Sequence, residues 1–254
     1  MTRILIILGT HRSGSNFVAD VLNQRDCLIL GEVFDAFFLK NQRGHLIKGM
    51  SIYDLLPNSG IPSLFALRYK NPPLFLFRLL RSLNRVTAKE YVGFRLFYNQ
   101  LNASRRVYWT ISILRYLPFV RFVHLRRRNL LHSFISLEKA KVSRSFGSLG
   151  KEDKKRTEIT FDIAQYEKYR DRIAREIKKY DEWMGKGDVK IIYEDLLSDE
   201  DQWNSLGNEL GIIGLSNKST LNKQSREPFN GISNLKEVES FLEKENDRLF
   251  LVKS

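Results

Sequence analysis

The amino-acid sequence predicts an α/β protein in which a parallel β-sheet is flanked by helices. Short apolar runs alternate with amphipathic stretches along the chain, as in sheets whose parallel strands are joined by helical crossovers. The first run has no polar alternation, which is typical of a strand buried on both faces. A glycine-bearing loop and a helical pattern follow it directly, so the chain opens with a strand, a loop and a helix.

The elements follow in order along the chain. We expect strands at 4–8, 120–125 and 188–193, a strand within 91–97, and a further strand that ends near 28–30. We expect helices at 16–23, 129–140 and 160–183, and a last helix near Asn234, which forms a capping-box pattern with Glu237. Ligands bind at the carboxyl ends of parallel strands, so the residues directly after each strand are the best candidates for a site.

The length of 254 residues fits a single domain covering 1–254. Segment 40–87 has weak periodicity and several turn signals, and we expect it to be an insertion beside the site. Segment 142–156 is rich in Ser, Gly and Lys, and we expect a mobile loop there.

The chain is basic, with 42 Lys and Arg against 29 Asp and Glu and a formal charge of +13. Such a field attracts nucleic acid, an anionic membrane surface or a phosphorylated small molecule. The single cysteine, Cys27, excludes an intramolecular disulfide, and the four histidines show no ligand spacing with it, so we expect no metal site. No apolar run is long enough to span a bilayer, which favours a cytoplasmic protein.

The loop after the first strand reads Gly9-Thr-His-Arg-Ser-Gly-Ser-Asn16. It keeps the glycine spacing of a P-loop, so the predicted sheet is P-loop-like, but Ser15 stands where the lysine belongs. The loop amides and the following helix N-terminus can still hold an anion, and Arg12 supplies a cation. The missing lysine and the lack of a magnesium ligand favour an anionic nucleotide bound without metal.

A second strand, turn and helix carry Arg128 at the strand end and Ser136 two helical turns later, about 12 Å along the axis. One group at each end could grip a terminal phosphate, with the arginine forming a forked contact. Taken alone, Ser136 is an ordinary helix serine and 126–128 is a solvated basic cluster.

Together the two motifs resemble those of the sulfotransferases that depend on 3′-phosphoadenosine 5′-phosphosulfate (PAPS). The loop is most similar to the bacterial carbohydrate branch, which includes Nod-factor and trehalose sulfotransferases. The resemblance implies a sulfotransferase fold and a cofactor site formed by Thr10, His11, Arg12, Ser13, Gly14, Ser15, Asn16, Arg128, Ser136, Lys223 and Arg226. Arg128 and Ser136 would hold the 3′-phosphate, and the segment with Lys223 and Arg226 would close over the nucleotide.

Weaker similarities to the family lie at 93–96 (Gly-Phe-Arg-Leu) and at 192–196 (Ile-Tyr-Glu-Asp-Leu). Glu194 and Asp195 follow the last strand, where acidic residues can hold magnesium as in a Walker-B motif. Without the P-loop lysine, we expect a capping or hydrogen-bonding role for them instead.

The resemblance also implies a catalytic base. Glu32 lies in a Glu-x-Phe context like that of the base in the carbohydrate branch, and we expect Glu32 and Arg12 to be the catalytic residues. To act near neutrality the pKa of Glu32 has to be raised by partial burial. His11 and Asp35 are the competing candidates.

The implied activity is transfer of a sulfuryl group from PAPS to a hydroxyl of a carbohydrate or glycolipid acceptor, which leaves adenosine 3′,5′-bisphosphate (PAP). We expect no metal, no nucleic-acid partner and at most a weak membrane-surface contact, through 75–85. The open alternatives are a P-loop nucleotide or adenylylsulfate kinase, and a basic nucleic-acid-binding module. Aromatic residues that could stack on a sugar, though core packing is the safer interpretation, are Phe37, Phe38, Tyr53 and Tyr69.

Overall fold

The structure is a computed structural model, which describes residues 2–35, 61–143, 158–219 and 229–244. Within these ranges five strands form one sheet: β1 (Arg3–Gly9), β2 (Cys27–Leu30), β3 (Tyr91–Phe97), β4 (Val120–Arg126) and β5 (Val189–Ile192). Their order is β2-β3-β1-β4-β5, and every neighbouring pair is parallel. The predicted α/β class with a parallel sheet is confirmed, and the carboxyl ends of the strands share one edge.

Helices lie on both faces of the sheet. Those in the described ranges are α1 (Ser15–Asn23), α2 (Ile61–Lys70), α3 (Pro72–Val86), α4 (Tyr98–Ala103), α5 (Arg105–Leu114), α6 (Leu130–Ser143), α7 (Ile163–Trp183), α8 (Tyr193–Ser198), α9 (Glu200–Leu210) and α10 (Leu235–Lys244). On β1, Ile6 packs into a core cluster with α3 and α5, whereas Leu5 and Ile7 pack into a second cluster with α1 and α9. Successive strand residues point to opposite faces, so the uniformly apolar β1 serves both cores.

Residues 61–86 of the expected insertion form two helices of the core. Asn71 caps α3, because its Oδ1 accepts a hydrogen bond from the Leu74 amide at 3.2 Å. Pro72 and Pro73 then occupy the first helical positions, where a missing N–H is tolerated. The turn signals of this segment therefore mark a helix start. Phe75 is fully buried, and the leucines of α3 that face the sheet are buried beside it, so Phe77 is the exposed apolar side chain of 75–85. Residues 40–60 lie outside the described residues.

The other predicted helices shift by a few residues. α6 continues to Ser143, so the first two residues of the expected mobile loop are helical, and 144–156 lie outside the described residues. α7 begins at Ile163 after the cap Asp162, whose Oδ1 accepts from the Gln165 amide at 2.9 Å. In the part of the chain described here, no helix is both long and apolar enough to cross a bilayer.

Candidate functional site

Five segments that follow or end the strands meet at the carboxyl edge of the sheet. They are the loop 10–14 after β1, Glu32 after β2, Arg95 near the end of β3, the arginines 126–128 at the end of β4, and 193–195 after β5. The parallel pairing of all five strands brings these segments together although they span almost 190 residues of sequence. This is the edge at which parallel sheets bind ligands.

The loop after β1 has an unusual backbone. Arg12 has a φ of 62°, and it is the only residue other than glycine with positive φ in the described ranges. Such a conformation costs on the order of 1–3 kcal/mol and persists where the surroundings hold it, often at functional sites. Gly14 has a φ of 89°, and a Cβ there would lie 2.1 Å from Cδ2 of Tyr193. Glycine at this position is thus required by the backbone angle and by the close tyrosine ring.

The hydroxyl groups of this loop are turned inward. Thr10, Ser13 and Ser15 are all buried. The Oγ of Ser13 is completely enclosed and has no hydrogen-bond partner among the described residues. Burying an unsatisfied hydroxyl costs about 1–3 kcal/mol, so the loop conformation is held at an energetic cost.

Arg12 joins the loop to helix α6. Its Nε donates to Ser136 Oγ at 2.8 Å, across 124 positions of sequence. Its carbonyl oxygen accepts from Nη1 of Arg127 at 2.6 Å and from Ser133 Oγ at 3.2 Å. Burial and the adjacent positive charge of Arg127 lower the pKa of Arg12. The two predicted motifs therefore contact each other, and two guanidinium groups are crowded beside the loop.

Arg128 has a different neighbour. Its Nη2 lies 3.0 and 3.2 Å from the two carboxylate oxygens of Asp195, and its side chain is 59% exposed. No hydrogen bond joins Arg128 to Ser136 within the described chain. The structure thus gives the two residues implied to hold one phosphate separate contacts, Arg128 with Asp195 and Ser136 with Arg12.

Glu194 stabilises the start of α6. Its carboxylate oxygens accept from the amides of Arg128 at 2.9 Å and Asn129 at 3.1 Å. The side chain of Asn129 in turn accepts from the His132 amide at 2.9 Å, so Asn129 is the predicted N-cap. A carboxylate at a helix N-terminus is favoured by the helix dipole. The expected capping and hydrogen-bonding roles of Glu194 and Asp195 agree with these contacts.

The other two arginines of 126–128 point into the protein. Arg127 lies 3.6 Å from Glu194 and its guanidinium stacks over the ring of Tyr193. Arg126 pairs with Asp181 at 2.9 Å, and the buried His124 contacts the same carboxylate at 3.0 Å. Burial lowers the pKa of His124 to about 4. The solvated basic cluster considered for 126–128 is therefore reduced to the single exposed side chain of Arg128.

Arg95 is a further functional candidate, for which the sequence motifs indicated no role. It is only 6% exposed, and its Nη1 donates to Asn16 Oδ1 and, at 3.3 Å, to Ser15 Oγ. Its Nη2 lies 3.8 Å from Glu32 Oε1. Burial lowers the pKa of Arg95, and Glu32 acts in the opposite direction. The signal was present in the sequence, since an arginine interrupts an otherwise apolar strand at 93–97.

Glu32 has the environment expected for a base. Burial raises its pKa above the ordinary value of 4.5, and the charge of Arg95 partly offsets this effect. The competing candidate His11 packs edge-on against Phe97, with ring centroids 4.3 Å apart, and burial lowers its pKa. Glu32 is therefore a mostly buried carboxyl group. The guanidinium of Arg95 lies between it and the residues that follow the β1 loop.

Several predicted residues lie outside the described ranges. They are Lys223 and Arg226 of the cofactor set and the aromatic residues Phe37, Phe38 and Tyr53. Tyr69 is described: it is 38% exposed, and its hydroxyl donates to the carbonyl of Phe34.

The described residues contain no group of three or more His, Cys, Asp or Glu side chains with a geometry suited to a metal ion. No protein-family model matches the chain, and a search of curated proteins found no significant match. Its function therefore has to be argued from the residues at the carboxyl edge.

Proposed function

We propose that this chain is a PAPS-dependent sulfotransferase with a sulfotransferase-type P-loop fold, and that its acceptor is a hydroxyl of a carbohydrate or glycoconjugate. The observation that carries the proposal is the 2.8 Å contact between Arg12 and Ser136. It joins two motifs that resemble the two phosphate-binding motifs of this family. The fit of an anionic nucleotide to the surrounding residues gives further support.

The β1 loop suits the phosphosulfate end of the donor. Its amides precede the N-terminus of α1, where backbone N–H groups and the helix dipole favour an anion. Burial lowers the pKa of Arg12, and repulsion by the charge of Arg127 lowers it further. An anion bound between them would relieve that repulsion.

Arg128 suits the 3′-phosphate. Its ion pair with Asp195 is partly exposed, with 59% and 35% of the two side chains accessible. Exposed ion pairs contribute only about 0–1 kcal/mol to stability. A doubly charged phosphate can therefore replace Asp195 as the partner of the Arg128 guanidinium with a small loss of free energy. Ser136 then positions Arg12 through their hydrogen bond. In this proposal Arg128 binds the 3′-phosphate without Ser136, whereas the resemblance implies that both residues bind it.

When bound, PAPS supplies a sulfuryl group on a 5′-phosphate leaving group. Glu32 takes the proton of the acceptor hydroxyl while the new oxygen–sulfur bond forms and the bond to the 5′-phosphate breaks. Arg12 and Arg95 balance the negative charge at the loop, where fixed charges in a shielded site contribute most. Arg95 also positions Glu32, since it lies 3.8 Å from that carboxylate.

The kinase alternative finds less support at this edge. Ser15 stands in place of the P-loop lysine, and the buried cation beside it, Arg95, comes from another strand. Glu194, which follows β5 where a Walker-B acid would stand, already accepts two backbone amides. We therefore expect donor binding and turnover to be independent of magnesium.

The proposal is tested by calorimetric titration of the protein with PAP in the presence of EDTA. We expect saturable binding in water at moderate salt, and Arg12→Ala should weaken it at least about tenfold, the size of one charge-assisted contact. Arg175→Ala, which removes the same charge from the exposed side of α7, should leave it unchanged. Absence of PAP binding by the wild type, or equal losses in the two variants, would contradict the proposal.

A matched activity assay uses radiolabelled PAPS with a panel of sugars, glycolipids and phenols. Label should move to a hydroxyl-bearing acceptor without added metal. With ³²P-labelled ATP and added magnesium the same panel should remain unlabelled, whereas a kinase would label it from ATP and not from PAPS.

A further inference from the structure

A second basic region lies on helices α2, α3 and α5. The end of α2, the N-terminal end of α3 and most of the length of α5 border a shallow groove of about 590 Å³. Its lining residues are Lys70, Asn71, Pro72, Pro73, Arg105, Arg106, Trp109, Thr110 and Ile113. Arg106 closes one side by donating to the carbonyl of Lys70 at 3.0 Å. We call the groove and the exposed side chains that continue from it along α3 and α5 the basic face.

The charge of this region is almost entirely positive. Between Ile61 and Val120 the sequence has one acidic residue, Glu90. The cations of the same stretch are Arg68, Lys70, Arg78, Arg81, Arg85, Lys89, Arg95, Arg105, Arg106 and Arg115. Apart from Arg95 of the candidate site, none of them is buried, so the field of the basic face extends into solvent.

Large apolar side chains are exposed on the same helices. Phe77, Trp109, Ile113 and, just after α5, Tyr116 are each more than half exposed. Soluble proteins commonly expose such side chains singly, but contiguous groups mark interaction surfaces. On the described surface, only Tyr69, Val142 and Ile213 complete the set of exposed large hydrophobic residues.

The exposed residues follow helical spacing. Arg105, Trp109 and Ile113 are four residues apart along α5, so they form one stripe. Pro73, Phe77 and Arg81 are four residues apart along α3, and the guanidinium of Arg81 lies 5.9 Å from the ring centre of Phe77. Both stripes begin at the groove. Each helix buries its other side in the core beneath the sheet.

We propose that the basic face docks on a lipid bilayer that carries anionic headgroups. Lys and Arg side chains near such a surface are attracted by its negative potential. Aromatic and aliphatic side chains interleaved with them can enter the headgroup region, where Trp and Tyr are favoured. The basic face offers both kinds of side chain, and its helices offer no carboxylate to repel the lipid.

A nucleic acid fits the same charge less well. Trp109 and the arginines of the groove could also contact a single-stranded nucleic acid, but Ile113 and the two prolines give no stacking surface for bases. The apolar residues would gain from a bilayer and not from a phosphate backbone. The docking proposal does not depend on sulfuryl transfer, and the experiments below detect it in the absence of any donor or acceptor.

The test is co-sedimentation with vesicles of phosphatidylcholine alone and with about one third phosphatidylglycerol. We expect binding only to the anionic vesicles, loss of most binding in 0.5 M NaCl by charge screening, and a blue shift of tryptophan emission. Trp109 is the exposed tryptophan, whereas Trp203 is fully buried. Trp109→Phe should therefore remove the shift while keeping most of the binding.

Paired variants separate the basic face from net charge. Arg81→Glu with Arg105→Glu should lower the vesicle partition coefficient at least about tenfold. Arg175→Glu with Lys178→Glu changes the total charge by the same amount on α7 and should have a much smaller effect. Phe77→Ser should weaken binding severalfold, whereas Ile213→Ser, at an exposed apolar residue elsewhere, should not. Circular dichroism and thermal melting check that each variant is folded.

Three results would overturn the proposal. The first is no binding to anionic vesicles at low salt. The second is an equal loss in the two charge-reversal pairs, which would indicate unspecific attraction. The third is a shift of Trp109 emission with a single-stranded oligonucleotide but not with vesicles, which would assign the face to nucleic acid.

Discussion

The two basic regions of this protein have the same sign of charge and opposite architectures. At the carboxyl edge, Arg12, Arg95 and Arg127 are at least half-buried, and each contacts a defined polar group. On the basic face, Arg81 and Arg105 are exposed, and the helices that carry them contain no carboxylate. The formal charge of +13 does not distinguish the two regions. They differ in the burial of their arginines and in the contacts that those arginines make.

The difference has a physical consequence for salt dependence. Exposed charges are screened over about 8–10 Å at ordinary ionic strength, whereas enclosed charges are screened much less. Binding at the carboxyl edge should therefore fall only modestly between 0.05 and 0.5 M NaCl, while binding through the basic face should be largely lost. Variants at each region test whether the two regions act separately.

The largest effect is expected for Glu32→Gln. Turnover should fall by about 10²–10⁴-fold, the usual contribution of a positioned base, while PAP affinity is retained. The wild-type rate should rise with pH through a pKa above 4.5, because burial raises the pKa of Glu32 and only the ionised form accepts a proton. A variant with near wild-type kcat would remove Glu32 from the mechanism, and Asp35→Asn is the control for a nearby carboxylate.

Arg95 is expected to act on Glu32 as well as on the loop. Arg95→Met removes a positive charge beside Glu32, so the pKa of Glu32 should rise further and the acid limb of the pH–rate profile should move to higher pH. Arg95→Lys keeps the charge and should leave the limb close to that of the wild type. An unchanged limb in a folded Arg95→Met variant would show that the arginine acts only as a structural group.

A smaller and more selective effect is expected for Arg128→Ala. Affinity for PAP should fall about tenfold, the size of one charge-assisted contact, while affinity for adenosine 5′-monophosphate should change little. Calorimetry with both nucleotides measures the difference. Equal losses for the two would place the 3′-phosphate away from Arg128.

The smallest effect is expected when the double variant of the basic face is tested for PAP binding at the carboxyl edge. Arg81→Glu with Arg105→Glu should leave PAP affinity within about twofold of the wild type at 0.15 M salt, because screened surface charges contribute little at a distance. A larger loss, measured in the same titration, would mean that the two regions act as one.

Much of the fold could be predicted because the sheet is buried on both faces. A strand was expected within 91–97 and fills that segment, and those expected at 4–8, 120–125 and 188–193 lie within one residue of the observed bounds. The helices of 61–86 were missed, since Asn71 and the two prolines gave the signals of a turn. In α3, arginines interleave with buried leucines, which obscured the helical period.

The candidate site could be predicted only in part. Arg12 and Arg128 were selected from motifs that follow strands, and Glu32 from the resemblance of its context to the carbohydrate branch. The role of Arg127 could not be found, since it binds the backbone of a residue 115 positions away. Arg95 was overlooked because its partners lie on α1 and after β2, contacts that exist only once β3 pairs between β1 and β2.

A crystal structure of the protein with PAP would show whether one nucleotide contacts both motifs. We expect one nucleotide at the carboxyl edge, with its 5′-phosphate hydrogen-bonded to the loop 10–16 and its 3′-phosphate to Arg128. Density for PAP elsewhere, or a nucleotide that contacts only one of the two motifs, would contradict this expectation.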